Sequence, residues 1–204
     1  MNETLQAKDR HEEILDAAAK LFQRFGFLKT TMEDIARAMG KRKSSLYYYY
    51  KSKDEIAEAL MEREGRDVIQ KVKSATDNVE SASQKLEAYL ITAFEAIQEK
   101  ITLYELMTIE QRQLGAFFNP SIIEKTSDLN EYSKRIIANI IKKGIVNKEF
   151  QEDIEEKLDI ISEVIFTSFI NVMEMTEITN QVQKQIKRDK LIVFAALIIA
   201  GLKK

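Results

Sequence analysis

The 204-residue chain has no cysteine and no tryptophan, one proline (Pro120), one histidine (His11) and six glycines. Without cysteine there can be neither a disulfide framework nor a thiolate metal site. This fits a reducing cytoplasm, where the protein is expected to act. So few chain breakers favour long helices over turns and strands. A lone histidine with no cysteine makes a zinc site implausible, and it has no partners in a recognisable catalytic triad. His11 is therefore expected to be an ordinary surface residue of the first helix. Glycine-rich phosphate loops, paired-carboxylate motifs and nucleophile elbows are also missing, so the chain is read as a non-enzyme with no metal and no cofactor. The longest near-continuous apolar run, LIVFAALIIAGL, spans 12 residues, 191–202. A membrane span needs about 20, so this is a buried helix and no membrane partner is expected. The charged N-terminus MNETLQAKDRHEE has no apolar stretch and does not read as a signal peptide.

The charge that is present is unevenly placed. The formal net charge of −2 argues by itself against nucleic acid. Residues 1–53, however, hold 11 basic and 7 acidic side chains, a net of +4, while residues 54–204 carry a net of −6. Within 37–53 there are six basic residues (Arg37, Lys41, Arg42, Lys43, Lys51, Lys53) and no acid. A basic patch on an otherwise acidic chain is the electrostatic footprint of a DNA-binding end.

Almost every segment repeats with the helical period. Ile14, Leu15, Ala18, Leu21, Phe22 and Phe25 form an apolar stripe over 9–25, closed by Gly26. Thr31 caps a second helix through the pattern TMED, which carries Ile35, Ala36 and Met39 inward and stops at Gly40. A third helix is expected from about Lys43 to Tyr50. A fourth runs from about 54 to the mid-70s, capped by Ser52 with Glu55 three residues on. Further helices are expected at roughly 81–100, 103–114, 121–144, 153–177 and 185–202. The short turn around Gly40 between the second and third helices is helix-turn-helix geometry.

The third helix contains four consecutive tyrosines, Tyr47 to Tyr50. At 100° per residue, Leu46 and Tyr50 share a face, and Tyr48 points nearly opposite. Tyr50 is therefore expected in the core, with Tyr47, Tyr48 and Tyr49 outside. An exposed tyrosine beside lysine suits a phosphate backbone, and lysine and serine at the start of the same helix can reach base edges. The alternative is that these rings pack against the fourth helix or are simply tolerated in water.

The stretch ILDAAAKLFQRFGFLKTTMEDIARAMGKRKSSLYYYYKSKDEI, residues 14–56, closely resembles the N-terminal domain of TetR-family transcriptional regulators. The shared features are an Ile-Leu-x-Ala-Ala helix with a glycine-containing turn, a Thr-Thr pair opening the second helix, and a third helix ending Leu-Tyr-x-x-aromatic before Lys-Ser-Lys. The resemblance implies an all-α protein of about nine helices. Residues 1–53 would form a three-helix helix-turn-helix DNA-binding domain, with the motif at about 31–50. Residues 54–204 would form a larger helical domain for ligand binding and dimerisation. It also implies roles by position: Lys43 and Ser44 for bases, Tyr47, Tyr48 and Tyr49 for the backbone, and Thr31 and Lys53, at helix N-termini, for phosphates. The departure is KRKS at 41–44, where family members commonly have an apolar residue first. Lys41 and Arg42 add charge, with Ser45 beside them on the DNA side, and Lys41 cannot fill an apolar slot. Tyr50 stands where phenylalanine is commoner.

The C-terminal helices carry two further expectations. Residues 154–173 are apolar over more than one face, and 191–202 lack any polar side chain. A helix apolar all round must be buried all round, so a homodimer through Ile161, Ile165, Phe194, Leu197 and Ile198 is expected. Met61, Phe94, Ile97, Met107, Phe117, Phe118, Phe166, Phe169 and Met173 are candidates to line a pocket for an unidentified small, largely apolar effector; each could equally be plain core. Gly65, inside the fourth helix, is either a tolerated surface glycine or a bending point. The expected function is a repressor that binds a pseudo-palindromic double-stranded DNA operator as a dimer and is released by its effector. The alternatives are a ligand-activated DNA binder and a helical protein adaptor, which would leave 37–53 unexplained.

Overall fold

The computed structural model describes residues 2–100, 120–174 and 181–203. They form eight α-helices: α1 (Asn2–Phe25), α2 (Met32–Ala38), α3 (Lys43–Tyr49), α4 (Lys53–Asp77), α5 (Ala82–Glu99), α6 (Pro120–Val146), α7 (Leu158–Glu174) and α8 (Gln181–Leu202). A 3-10 helix, Glu152–Lys157, precedes α7. No strand occurs among the described residues, as the shortage of breakers implied. The segment expected as one helix from 153 thus opens with a tighter turn, a frequent start for an α-helix. The helix expected at 103–114 lies outside the described residues. Among the described residues, no helix is long and apolar enough to cross a membrane.

The chain divides into two compact units: Met1–Arg66 with Lys100–Thr126, and Asp67–Glu99 with Ser127–Lys204. The division falls inside α4 and not at 53/54. The reason is packing: Ile56, Ala57, Leu60 and Met61, the first turns of α4, are fully buried. Arg63 then ties α4 to α1 through Glu12 (2.9 Å) and Asp16 (2.8 Å). Its neighbour Glu64, also buried, accepts from Arg63 (2.9 Å) and Lys100 (2.6 Å). Burial pulls the Arg63 pKa down, but hydrogen bonds to Glu12, Glu64 and Asp16 outweigh it and hold the guanidinium charged. Gly65 is buried, so it is not the tolerated surface glycine of the first alternative.

The first unit is built on the predicted stripe of α1. Ile14, Leu15, Ala18 and Phe22 are buried with Ile35 and Ala36 of α2 and Leu46 of α3. Phe25 departs from the expectation: it is 49% exposed, under the Arg24 guanidinium at 5.0 Å. It sits on the last residue of α1, where Gly26 (φ +82°) turns the chain away and the Gly26 N–H closes on the Phe22 carbonyl at 2.8 Å. Met39, expected inside, is half-buried. The α2–α3 turn is a Schellman ending. Gly40 (φ +65°) donates to Arg37 O (3.0 Å) and Lys41 N donates to Ala36 O (2.9 Å). That backbone conformation is one glycine adopts without strain.

In the second unit α8 packs on α5 and α7. Leu86, Leu90 and Phe94 of α5, Ile137 and Ile141 of α6, Ile165 and Phe169 of α7, and Leu191 and Ala195 of α8 are buried. Glu149, after α6, caps α5 from a distance: its carboxylate accepts from Ser81 Oγ (2.7 Å), Ala82 N (2.8 Å) and Ser83 N (3.2 Å). Burial pushes its pKa up, but these donors more than offset that and hold it below the ordinary carboxylate value. Gly144 is buried where a Cβ would run into the Phe150 ring and Ala82.

Candidate nucleic-acid interface

Three features of the sequence position α3. The capping box of α2 is formed: Asp34 N donates to Thr31 Oγ1 (3.2 Å) and Thr31 N to Asp34 Oδ2 (3.0 Å). The Thr31 hydroxyl, and then its backbone N–H, pull the Asp34 pKa below its ordinary value. The Gly40 turn then reverses the chain, and Leu46 anchors α3 in the core. What remains outside is basic and aromatic. Lys41, Arg42, Lys43, Ser44 and Ser45 are all exposed. Among the described residues no carboxylate pairs with Lys41, Arg42 or Lys43.

The tyrosine run splits as the helical wheel required for Tyr47, Tyr48 and Tyr50, but Tyr49, expected outside, is half-buried against the His11 ring. Tyr48 is 79% exposed and Tyr47 is also exposed, with the Lys43 ammonium 5.7 Å above its ring. Tyr50 is 7% exposed. Its backbone, however, is extended (φ −136°, ψ 130°), because α3 ends at Tyr49 and Tyr50 is its C-cap.

Two expected phosphate contacts are already engaged within the chain. Lys53 Nζ donates to Phe27 O (2.6 Å) and Leu28 O (3.4 Å) and lies 4.2 Å from the Phe27 ring centre. It clamps the α1–α2 turn to the start of α4. The Thr31 hydroxyl donates to Asp34 Oδ2 (2.5 Å). Beside it, Glu55 N donates to Ser52 Oγ (3.1 Å), the expected cap of α4, while the Glu55 carboxylate accepts from Lys51 N (2.6 Å).

Sequence reasoning missed His11. It is half-buried, its Nδ1 lies 3.1 Å from Tyr50 Oη, and its ring is edge-on to Tyr49 and Tyr50, each at 5.2 Å. The signal was available: positions 11, 14, 15, 18 and 22 fall on one helical stripe, so His11 extends the apolar face of α1. A cleft of about 220 Å³ opens where Lys41 meets Ile14, Ala36, Met39 and Leu46.

The remaining predicted residues scatter. Met61 is buried in the first unit, and Phe94, Phe166 and Phe169 are buried and Ile97 half-buried in the second. Met107, Phe117, Phe118 and the Met173 side chain lie outside the described residues. Of the interface candidates, Leu197 is 68% exposed and Ile161, Phe194 and Ile198 are half-buried. Ile165, at 1% exposure, belongs to the core of its own chain and presents nothing to a partner. The outward apolar residues of α7 and α8 also include Ile160, Val164 and Val193.

A capped helix, a glycine turn and a second helix that buries one leucine while presenting lysine, serine and tyrosine define a helix-turn-helix protein that reads DNA. Residues 14–60 match the family described as bacterial regulatory proteins, tetR family. The chain is 26% identical over 153 residues to the HTH-type transcriptional repressor KstR2 of Mycobacterium tuberculosis, covering 75% of each. The solved structure of the ketosteroid transcriptional regulator KstR2 from that organism superposes with a TM-score of 0.66 at 20% identity, over 96% of this chain and 95% of that one. The fatty acid degradation regulator FadR of Bacillus halodurans gives 0.75 at 18% identity, over 94% and 95%. The fold is shared over more than nine-tenths of the chain, residues 14–60 are a tetR-family DNA-binding segment, and the protein is a DNA-binding transcriptional regulator.

Proposed function

We propose that the protein is a repressor that binds a pseudo-palindromic operator as a homodimer and leaves it when a small, largely apolar molecule binds. The observation that carries the DNA part is the exposed face of α3, where Lys43, Ser44, Tyr47 and Tyr48 are outside while Leu46 holds the helix in place. Lys43 and Ser44 are assigned to base edges. Tyr47, Tyr48 and Tyr49 are assigned to the sugar-phosphate backbone, together with Lys41, Arg42 and Ser45. In a two-fold dimer the two α3 helices would enter successive major grooves about 34–36 Å apart.

The dimer reading rests on the second unit. Ile160 and Val164 of α7, and Val193 and Leu197 of α8, are exposed at i, i+4 spacing on two helices that pack on each other. Two such pairs make a four-helix interface. Leu197→Glu is expected to give a monomer in sedimentation at micromolar concentration, and a parent chain that is itself monomeric would overturn the reading.

The effector reading rests on the buried aromatic and aliphatic content of the second unit, with Phe94, Ile97, Phe166 and Phe169 as the described candidates for its lining. Relatives described as ketosteroid and fatty acid degradation regulators support an apolar effector. Ligand and DNA oppose each other by linkage, typically by 1–3 kcal/mol, or about 5- to 150-fold. The test is to recover an operator by selection from a random DNA pool. Sterol-like and acyl compounds are then screened by thermal shift, and each binder is titrated into the operator complex. A symmetric recovered site and release by a binder are the expected results. A binder that tightens the complex would replace release by activation, and binders that leave affinity unchanged would remove the switch.

A further inference from the structure

We propose that His11 is a positioning residue for DNA binding: from α1 it holds Tyr49 edge-on and Tyr50 by its hydroxyl, and through Tyr49 it sets the exposed ring of Tyr48. The inference rests on the reading above that these tyrosines grip the DNA backbone.

The contacts form a continuous line from one helix to the other. The His11 and Tyr49 ring centres are 5.2 Å apart at 86°, and Tyr49 and Tyr48 are 5.0 Å apart at 81°. Both are edge-to-face arrangements, the geometry that aromatic quadrupoles favour. His11 and Tyr50 repeat it at 5.2 Å and 84°, with the 3.1 Å contact from Nδ1 to Tyr50 Oη added. That contact explains why position 50 carries tyrosine. A phenol that is nearly fully buried must find a partner for its hydroxyl, and His11 is the partner. Burial, then Glu12, push the Tyr50 hydroxyl above its ordinary pKa, partly countered by Arg63, with Glu55 adding a smaller upward push. The phenol therefore keeps its proton, and whether it donates to Nδ1 or accepts from it is set by the imidazole tautomer.

The consequence for binding is entropic. A tyrosine as exposed as Tyr48 samples several rotamers in water, and a phosphate contact must freeze one of them. Tyr49 limits that sampling, and Tyr49 is itself held by a residue 38 positions earlier in the chain. Holding the rings before DNA arrives reduces the ordering cost of the encounter. Removing His11 leaves every DNA-contacting group in place and loses only the arrangement.

The experiment measures operator affinity by fluorescence anisotropy on a fragment recovered from the random pool. The variants are His11→Ala, Tyr49→Ala and the double variant, with His11→Phe and His11→Asn as rescues and thermal unfolding as the check on folding. His11→Ala is expected to weaken binding about three- to ten-fold, the scale of an aromatic pair. The double variant should be no weaker than Tyr49→Ala alone. His11→Phe keeps a ring edge on Tyr49 and should recover most of the affinity. His11→Asn keeps only a hydrogen-bond partner for Tyr50 and should not. If Tyr49→Ala weakens binding and His11→Ala does not, the positioning role is wrong and the tyrosine reading stands. If neither affects binding, Tyr49 leaves the set of backbone contacts and this proposal fails, while Tyr48→Phe separately tests the exposed ring. Effects that simply add in the double variant would show His11 acting independently of Tyr49, which also overturns it.

Discussion

Replacing Lys41 with valine should make the DNA-reading unit more stable and its hold on DNA weaker. The cleft of about 220 Å³ beside Lys41 is lined by Ile14, Ala36 and Leu46, all buried, by the half-buried Met39 and Tyr49, and by Arg10 and Ser45. An isopropyl group placed there covers apolar surface that the lysine stem, leading to an exposed ammonium, does not. Three carbons at about 0.8 kcal/mol per buried CH₂, discounted for incomplete burial, give roughly 1–2 kcal/mol. For a chain of this size that is a rise of about 2–8 °C in the unfolding midpoint. The backbone at 41 does not have positive φ, so a β-branched residue brings no strain there. Binding should move the other way. If Lys41 neutralises one phosphate, its loss lowers the slope of log affinity against log salt by about 0.9 per copy. Calorimetric melts and anisotropy at four salt concentrations measure both quantities, with Lys41→Ser as the control that removes charge without filling the slot. A lower midpoint for Lys41→Val would show that the slot cannot take the side chain. An unchanged salt slope in both variants would remove Lys41 from the DNA contacts.

Lys43→Ala should relax base preference by roughly 1–3 kcal/mol at one operator position. Tyr48→Phe should instead weaken all sequences alike, by about 0.5–1.5 kcal/mol; competition across single-base operator variants separates the two patterns, and an unchanged ranking for Lys43→Ala would end its base-reading role. Gly144→Ala puts a methyl group into the Phe150 ring and should cost about 1–3 kcal/mol by urea unfolding, with part of the loss recovered when Phe150→Leu is added. Glu149 has its pKa held below the ordinary value by the N-terminal N–H groups of α5. Its contribution is therefore present above the unfolded carboxylate pKa, about 4.3, and disappears as pH falls below that through the lower folded value. The parent should lose more stability than Glu149→Gln between pH 5 and pH 3 in thermal melts. Parallel curves would show that the cap contributes nothing.

The helical layout was readable because glycine and proline are scarce and the punctuation is standard: Gly26 and Gly40 end α1 and α2 in the left-handed conformation, and Thr31 and Ser52 begin α2 and α4. What was missed follows from how a periodic pattern works. The first turns of α1, NETLQAK, contain good helix formers but no apolar stripe, so periodicity says nothing about them. A helix wheel also carries information about one helix only. It placed Tyr48 outward and Tyr50 inward, but Tyr49 is fixed by a ring on α1, and no spacing within α3 contains that fact. Lys53 reads as a cation at a helix N-terminus, suited to phosphate; the carbonyls of Phe27 and Leu28 that accept its hydrogen bonds become its neighbours only when the chain folds.

The same limit acts most strongly in α8. Its second half has no polar side chain, so a wheel cannot say which side faces the core and which needs another cover. Packing against α5 and α7 decides it: Leu191, Ala195 and Leu202 turn inward, while Val193, Leu197 and Ala200 turn out. In α7 the inward set is Ser162, Ile165, Phe166 and Phe169, and Ile160 and Val164 face out. An apolar stripe exposed on two neighbouring helices is unfavourable in water, and contiguous patches of this kind mark interaction surfaces. A helix that needed only its own core would have placed lysine or glutamate at 193 and 197, as Lys190 and Asp189 do one turn earlier. The stripe therefore supports the proposed dimer, in which a second copy of α7 and α8 related by a two-fold axis would cover it.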